Sequence, residues 1–115
     1  MDATPEAFET AVKAHLKHGT TTLLPTAMTA TESDLNDFLN TFKEFKNKSE
    51  YSGIAPGVHL EGPFIAAAHK GAQPLEYVKE PDIAAFDGYN QASGNAIRIV
   101  TLAPEVAGAD QLIAH

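Results

Sequence analysis

The sequence predicts an α/β fold of parallel βα units, laid out as part of a larger barrel. Three observations predict it. Segments with helical periodicity alternate with short β-branched runs in the order α-β-α-β-(α)-α-β-α, the order that parallel units produce. The run Ala96–Leu102 is nearly continuous in Ile and Val, the pattern of a strand buried on both faces. The pattern opens on a helix with no strand before it and closes on the first turns of another. A segment of a larger barrel accounts for that better than a complete domain, and residues 1–115 carry no internal domain boundary.

Each element has a local cause. Thr4 and Pro5 open the first helix, because a threonine caps and proline suits the first helical position. Phe8, Ala11, Val12, His15 and Leu16 recur at helical spacing and predict its inward stripe; Gly19 ends it. Thr20–Leu24 is β-branched and apolar, so it predicts the first strand, stopped by Pro25. Thr31, with Asp34 three residues on, starts a second helix that runs to about Lys48. Its stripe is Leu35, Phe38, Leu39, Phe42 and Phe45, core packing rather than a cofactor box. Ile54–Leu60 predicts the second strand, disturbed at its start by Pro56-Gly57. A loop follows over Glu61–Pro74, then a helical turn over Leu75–Val78. Pro81-Asp82 starts a third helix, with Ile83, Phe86 and Tyr89 inward and an end near Gly94. Ala96–Leu102 is the third strand, broken by Pro104, and Ala109–His115 starts a fourth helix.

Composition narrows the function. Hydrophobic residues make up 43% and charged residues 20%, an ordinary globular mix. The longest apolar stretches, such as Phe64–Ala68, fall far short of the ~20 residues a membrane helix needs. A net charge of -7 argues against nucleic acid or an anionic membrane as partner, since both reward basic patches. The acidic start, Met1–Glu6, lacks a basic segment followed by an apolar one, so a cytoplasmic location is expected. There is no cysteine, so any metal must be held by His, Asp or Glu.

The sharpest chemical feature is His59-Leu60-Glu61-Gly62-Pro63-Phe64. It ends the second strand, and in a parallel βα barrel catalytic groups gather at the carboxyl ends of strands. His59 and Glu61 are two residues apart, which puts them on one side of a strand. A carboxylate there can ligate a divalent metal, with the imidazole beside it as an outer support. A solvated strand-end glutamate is the structural alternative, and the His-x-Glu spacing alone does not choose between the two.

These residues are joined by three further segments. Lys70-Gly71-Ala72-Gln73-Pro74 follows Glu61, Gly19-Thr20-Thr21-Thr22-Leu23-Leu24-Pro25-Thr26 precedes it, and Thr101-Leu102-Ala103-Pro104-Glu105 ends the third strand. In this order they resemble the N-acetylglucosamine-6-phosphate deacetylases, metal-dependent amidohydrolases of (β/α)8-barrel fold. The resemblance implies hydrolysis of N-acetylglucosamine-6-phosphate to glucosamine-6-phosphate and acetate, a divalent metal (Zn²⁺ or Fe²⁺), an amino-sugar phosphate as the small-molecule partner, and a homodimeric intact enzyme. It implies that Glu61 is the metal ligand of this strand and that Ala72 and Gln73 contact the substrate. Many family members carry His where this chain has Gln73. The family's early His-x-His motif or its substitute, its two later histidines and its catalytic aspartate have no counterpart here. No catalytic residue is therefore assigned to this segment, and alone it is expected to be inactive.

The other candidates read differently. His15 and His18 are three apart near a helix end, where positive charge is favourable. His69 lies in the loop with no fixed role in the family pattern, and His115 is the last residue. Glu105 also follows a strand, and a polar residue near a helix start is the plainer reading. A galactosamine-isomer deacetylase would share Glu61. A non-catalytic acidic α/β binding module is the rival from another class, but it would want a glycine-rich phosphate loop, which Pro25-Thr26-Ala27-Met28 is not.

Overall fold

The structure, a computed structural model, describes residues 4–115. The first half of the acidic start, Met1–Ala3, lies outside the described residues. Helix α1 spans Pro5–Lys17, with the Thr4 hydroxyl accepting from the Ala7 N–H at 3.1 Å. Strand β1 is Thr26–Met28, helix α2 Glu32–Lys48, strand β2 Val58–Glu61, helix α3 Ile83–Ala92, strand β3 Ile97–Thr101 and helix α4 Ala109–Ala114. Single 3₁₀ turns cover Glu50–Gly53, Ala67–His69 and Leu75–Tyr77. The strands form one parallel sheet in the order β1-β2-β3.

The capping logic of the sequence holds. The Thr31 hydroxyl accepts from the Asp34 N–H and the Asp82 carboxylate from the Ala85 N–H, both at 3.1 Å, each filling an N–H that a helix start leaves open. Gly19 takes φ +89 just past α1, the left-handed conformation that ends helices without a Cβ penalty.

The core lies between the sheet and the helices. Leu35, Phe38, Leu39, Phe42 and Phe45 of α2 are all buried, together with Phe8 and Val12 of α1 and Ala27, Val58 and Leu60 of the strands. Phe8 meets Phe38 edge-on at 5.1 Å, the geometry aromatic rings favour. Each buried Phe or Leu side chain stabilises the fold by roughly 1.5–3 kcal/mol relative to exposure. Among the described residues no helix is long and apolar enough to cross a membrane.

Five expectations need correction. The first strand is not Thr20–Leu24: pairing begins after Pro25, where the chain comes alongside β2. Leu23 makes only one outlying bond, its N–H donating to the Ile54 carbonyl at 2.9 Å. The second strand starts at Val58: Ile54 closes the 3₁₀ turn Glu50–Gly53 as its C-cap, and Pro56 has no N–H to pair. The third strand is not buried on both faces: Ile99 is 50% exposed, because no element covers the sheet face opposite the helices among the described residues. In α1, Ala11, His15 and Leu16 stay exposed, since that helix packs mainly against α2 and the neighbouring 3₁₀ turn. In α3, Tyr89 is buried while Ile83 is 36% exposed.

Two polar links tie helices together. The Ser49 hydroxyl after α2 donates to Glu9 of α1 at 2.7 Å and, with Lys13 beside it, holds that carboxyl below the usual range. Lys79 donates to Glu32 at 3.0 Å and to the Tyr89 hydroxyl at 3.3 Å. The Glu32 carboxylate, opposed by partial burial, raises the Lys79 pKa above its ordinary value. A raised folded pKa contributes stability that is complete below the unfolded value and is lost as pH rises through the folded one. Lys79→Met should therefore lower the melting temperature slightly at neutral pH, and the gap to wild type should close above about pH 10.4. Melting curves across the alkaline range check this; a gap that stays constant counts against the link.

Candidate metal centre

Glu61 is the last residue of β2, paired with Met28 of β1 and Thr101 of β3. Strand alternation sends Val58 and Leu60 toward the helices and His59 and Glu61 to the opposite face. Thr26, Met28, Ile99 and Thr101 share that face. Glu61 is half-buried at its edge.

Its surroundings are built from three chain segments. The Gln73 side chain, buried at 8% exposure, donates from Nε2 to Glu61 Oε1 at 3.4 Å. The Oε1 of Gln73 accepts from the Thr29 backbone N–H at 3.2 Å. The Thr29 hydroxyl donates to the Glu61 carbonyl at 3.5 Å. Gly62 makes this convergence possible. It sits at φ +83, and a Cβ there would stand 2.1 Å from Thr29 Oγ1 and 3.3 Å from Gln73 Oε1. The Gly62-Pro63 peptide bond is cis, and Phe64 beyond it is buried against Tyr89, ring centroids 6.4 Å apart.

His59 is engaged elsewhere. Its Nδ1 pairs with the Thr26 hydroxyl at 3.2 Å and its Nε2 with the Thr101 hydroxyl at 2.8 Å. One imidazole thus bridges β1 and β3 across β2. The shared face expected for His59 and Glu61 is present, while the bonds of His59 run sideways to the threonines.

The remaining candidates are scattered. Ala72 is exposed beside Gln73. His69 is exposed in the 3₁₀ turn Ala67–His69, His15 lies exposed in the last turn of α1, and His18 is its C-cap. His115 pairs with Asp87 at 2.7 Å and meets Phe86 edge-on. Glu105 is exposed in the turn after β3. Among the described residues no three His, Asp or Glu side chains converge. A carboxylate oxygen is a suitable donor for Zn²⁺ or Fe²⁺, so Glu61 fits a divalent metal as one ligand of several. The sequence reading missed Thr26, Thr29 and Thr101. Threonine at each strand end was a visible signal for two of them, but Thr29 acts largely through its backbone N–H, which no side-chain pattern reveals.

Comparison with known proteins bears on this arrangement. No model of a known protein family matches. An N-acetylglucosamine-6-phosphate deacetylase from Bacillus subtilis (strain 168) is 35% identical across 100% of this chain and 30% of its own length. An N-acetylgalactosamine-6-phosphate deacetylase from Escherichia coli O157:H7 is 32% identical, again across 100% of this chain and 30% of its own length. The structure of a mutant N-acetyl-D-glucosamine-6-phosphate deacetylase from Mycobacterium smegmatis, in complex with N-acetyl-D-glucosamine-6-phosphate, superposes with a TM-score of 0.86. It covers 97% of this chain and 28% of that one, at 32% identity. The chain is a homologue, along its whole length, of one stretch of the N-acetylglucosamine-6-phosphate deacetylases, and it spans about 30% of the curated relatives it matches.

Proposed function

We propose that this chain is part of a (β/α)8 barrel that hydrolyses N-acetylglucosamine-6-phosphate to glucosamine-6-phosphate and acetate. The observation that carries the reading is Glu61: a carboxylate at the carboxyl end of a parallel strand, where barrel enzymes build their sites, in a chain homologous throughout to deacetylases. The three neighbouring parallel strands, joined in sequence order through helices, support a barrel segment.

In this reading Glu61 holds a divalent metal, Zn²⁺ or Fe²⁺, through its carboxylate, and the other ligands come from barrel segments beyond residues 1–115. When bound, such an ion polarises the amide carbonyl and lowers the pKa of water, so that hydroxide forms near neutral pH. His59, held by two threonines, braces the strands beneath the Glu61 carboxylate. Ala72 is exposed beside this cluster and borders the space for the sugar; Gln73 Nε2 carries two hydrogens, so one remains to meet substrate. The acidic chain suits a small-molecule partner in the cytoplasm rather than nucleic acid or membrane, and the barrel-length enzyme is proposed as a homodimer. A galactosamine-isomer specificity is the second reading, favoured by the Escherichia coli relative that matches the whole chain equally far.

Acetate release by the barrel-length protein tests both. N-acetylglucosamine-6-phosphate should be the better substrate, and the galactosamine isomer the control. Exhaustive dialysis against a chelator should abolish release, and Zn²⁺ or Fe²⁺ should restore it. The 115-residue chain alone should stay at the level of a metal-only blank. Release that survives complete metal removal would overturn the proposal; preference for the galactosamine isomer would select the second reading.

A further inference from the structure

We infer that Gln73 is a positioning residue that aims the Glu61 carboxylate, and that Thr29 sets which way round its amide lies. The inference rests on the proposed role of Glu61 and goes beyond it. The Thr29 backbone N–H can only donate, so the Gln73 atom facing it must be the carbonyl oxygen. The contact is 3.2 Å long. With the oxygen so placed, the NH₂ group is left facing Glu61 Oε1 at 3.4 Å. A rotated amide would set a donor against a donor at Thr29 and an acceptor against a carboxylate at Glu61, losing both bonds.

The surrounding contacts hold both ends of the residue. Gln73 is 8% exposed, its own N–H donates to the Lys70 carbonyl at 3.2 Å, and the Thr29 hydroxyl reaches back to the Glu61 carbonyl at 3.5 Å. The end of β1, the end of β2 and the loop that follows therefore meet around Gly62, whose missing side chain leaves the room. One carboxylate oxygen is turned toward an amide donor, which fixes the plane in which the carboxylate meets a cation. An outer partner that orients a ligating carboxylate is worth about 10–100-fold in metal affinity or activity.

The test is a Zn²⁺ competition titration of the barrel-length protein, with kcat and KM measured alongside. Gln73→Leu should weaken Zn²⁺ affinity roughly 10–100-fold. Gln73→His should recover most of it, because a neutral imidazole offers one acceptor and one donor. Gln73→Asn keeps the amide but is one methylene too short to span both partners. It should lose affinity in the same direction by a smaller factor, and it serves if the leucine variant does not fold. In a Glu61→Gln background, Gln73→Leu should cause no further loss. If Zn²⁺ affinity is unchanged in both the leucine and asparagine variants while KM alone rises, Gln73 touches substrate only and the inference is overturned. That outcome differs from failure of the underlying reading, which would appear as a Glu61→Gln variant that still holds its metal.

Discussion

Glu61→Gln in the barrel-length protein is expected to remove bound metal and acetate release together. The substitution keeps the side chain's shape and its place at the end of β2. It replaces an anionic oxygen with a neutral amide, so the site loses a full negative charge next to a divalent ion. The fall in affinity should exceed about 100-fold, the upper end of what losing an outer partner costs. Glu61→Asp should give a partial loss, because the oxygens retract by one methylene and leave the reach of Gln73. Elemental analysis of dialysed protein beside an acetate assay decides the matter. Stoichiometric metal with a near-normal rate in Glu61→Gln would exclude the assignment, and Glu105, exposed in the turn after β3, would be the next carboxylate to examine.

Gly62→Ala should destabilise the fold strongly, through backbone and packing together. The backbone there is left-handed at φ +83, which costs an L-residue roughly 1–2 kcal/mol. The new Cβ would also stand 2.1 Å from Thr29 Oγ1, and relieving such overpacking costs about 1–3 kcal/mol more. Denaturant unfolding should show both contributions. Adding Thr29→Ala removes the clashing oxygen, so the double variant should be more stable than the sum of the two single losses, keeping mainly the backbone contribution. A Gly62→Ala midpoint equal to that of wild type would mean the three segments do not approach as closely as described. Some loss of metal should accompany the loss of stability, since the methyl group would push on the residues that aim Glu61.

Much of this was legible in the residues. Helix ends could be read because their causes are local: Thr4, Thr31 and Asp82 each cap the turn that follows them. The stripe of α2 was legible because all five of its apolar residues are buried by one set of neighbours. Strand bounds were not, because pairing is decided by the partner. Thr20–Leu24 has the better strand composition, yet Thr26–Met28 is what lies beside His59–Glu61. Burial of Ile99 was overestimated for a related reason, since composition cannot say which elements stand opposite a sheet face. Glu61 stood out as a candidate through its place at a strand end together with the family resemblance of the segments around it. Its hydrogen-bond partners did not, because Thr29 and Gln73 are 44 residues apart and meet only when the loop folds back.

The irregular pairing between β2 and β3 has its own consequence. Val58 lies opposite Ile97, but His59 lies opposite Ile99, so Arg98 is an extra residue of the kind found in a β-bulge. Its stem occupies the space over Gly57, where a Cβ would come within 2.4 Å of Arg98 Cγ. The extra residue acts as a frame shift in three dimensions. Before it, the odd-numbered Ile97 packs toward the helices; after it, the odd-numbered Ile99 and Thr101 face the other way, and the even-numbered Val100 packs inward. Without that change of parity Thr101 would point into the core, and the imidazole of His59 would have nothing to grip on β3. The reach of one histidine across three strands thus depends on a single residue that takes no part in either of the histidine's two hydrogen bonds.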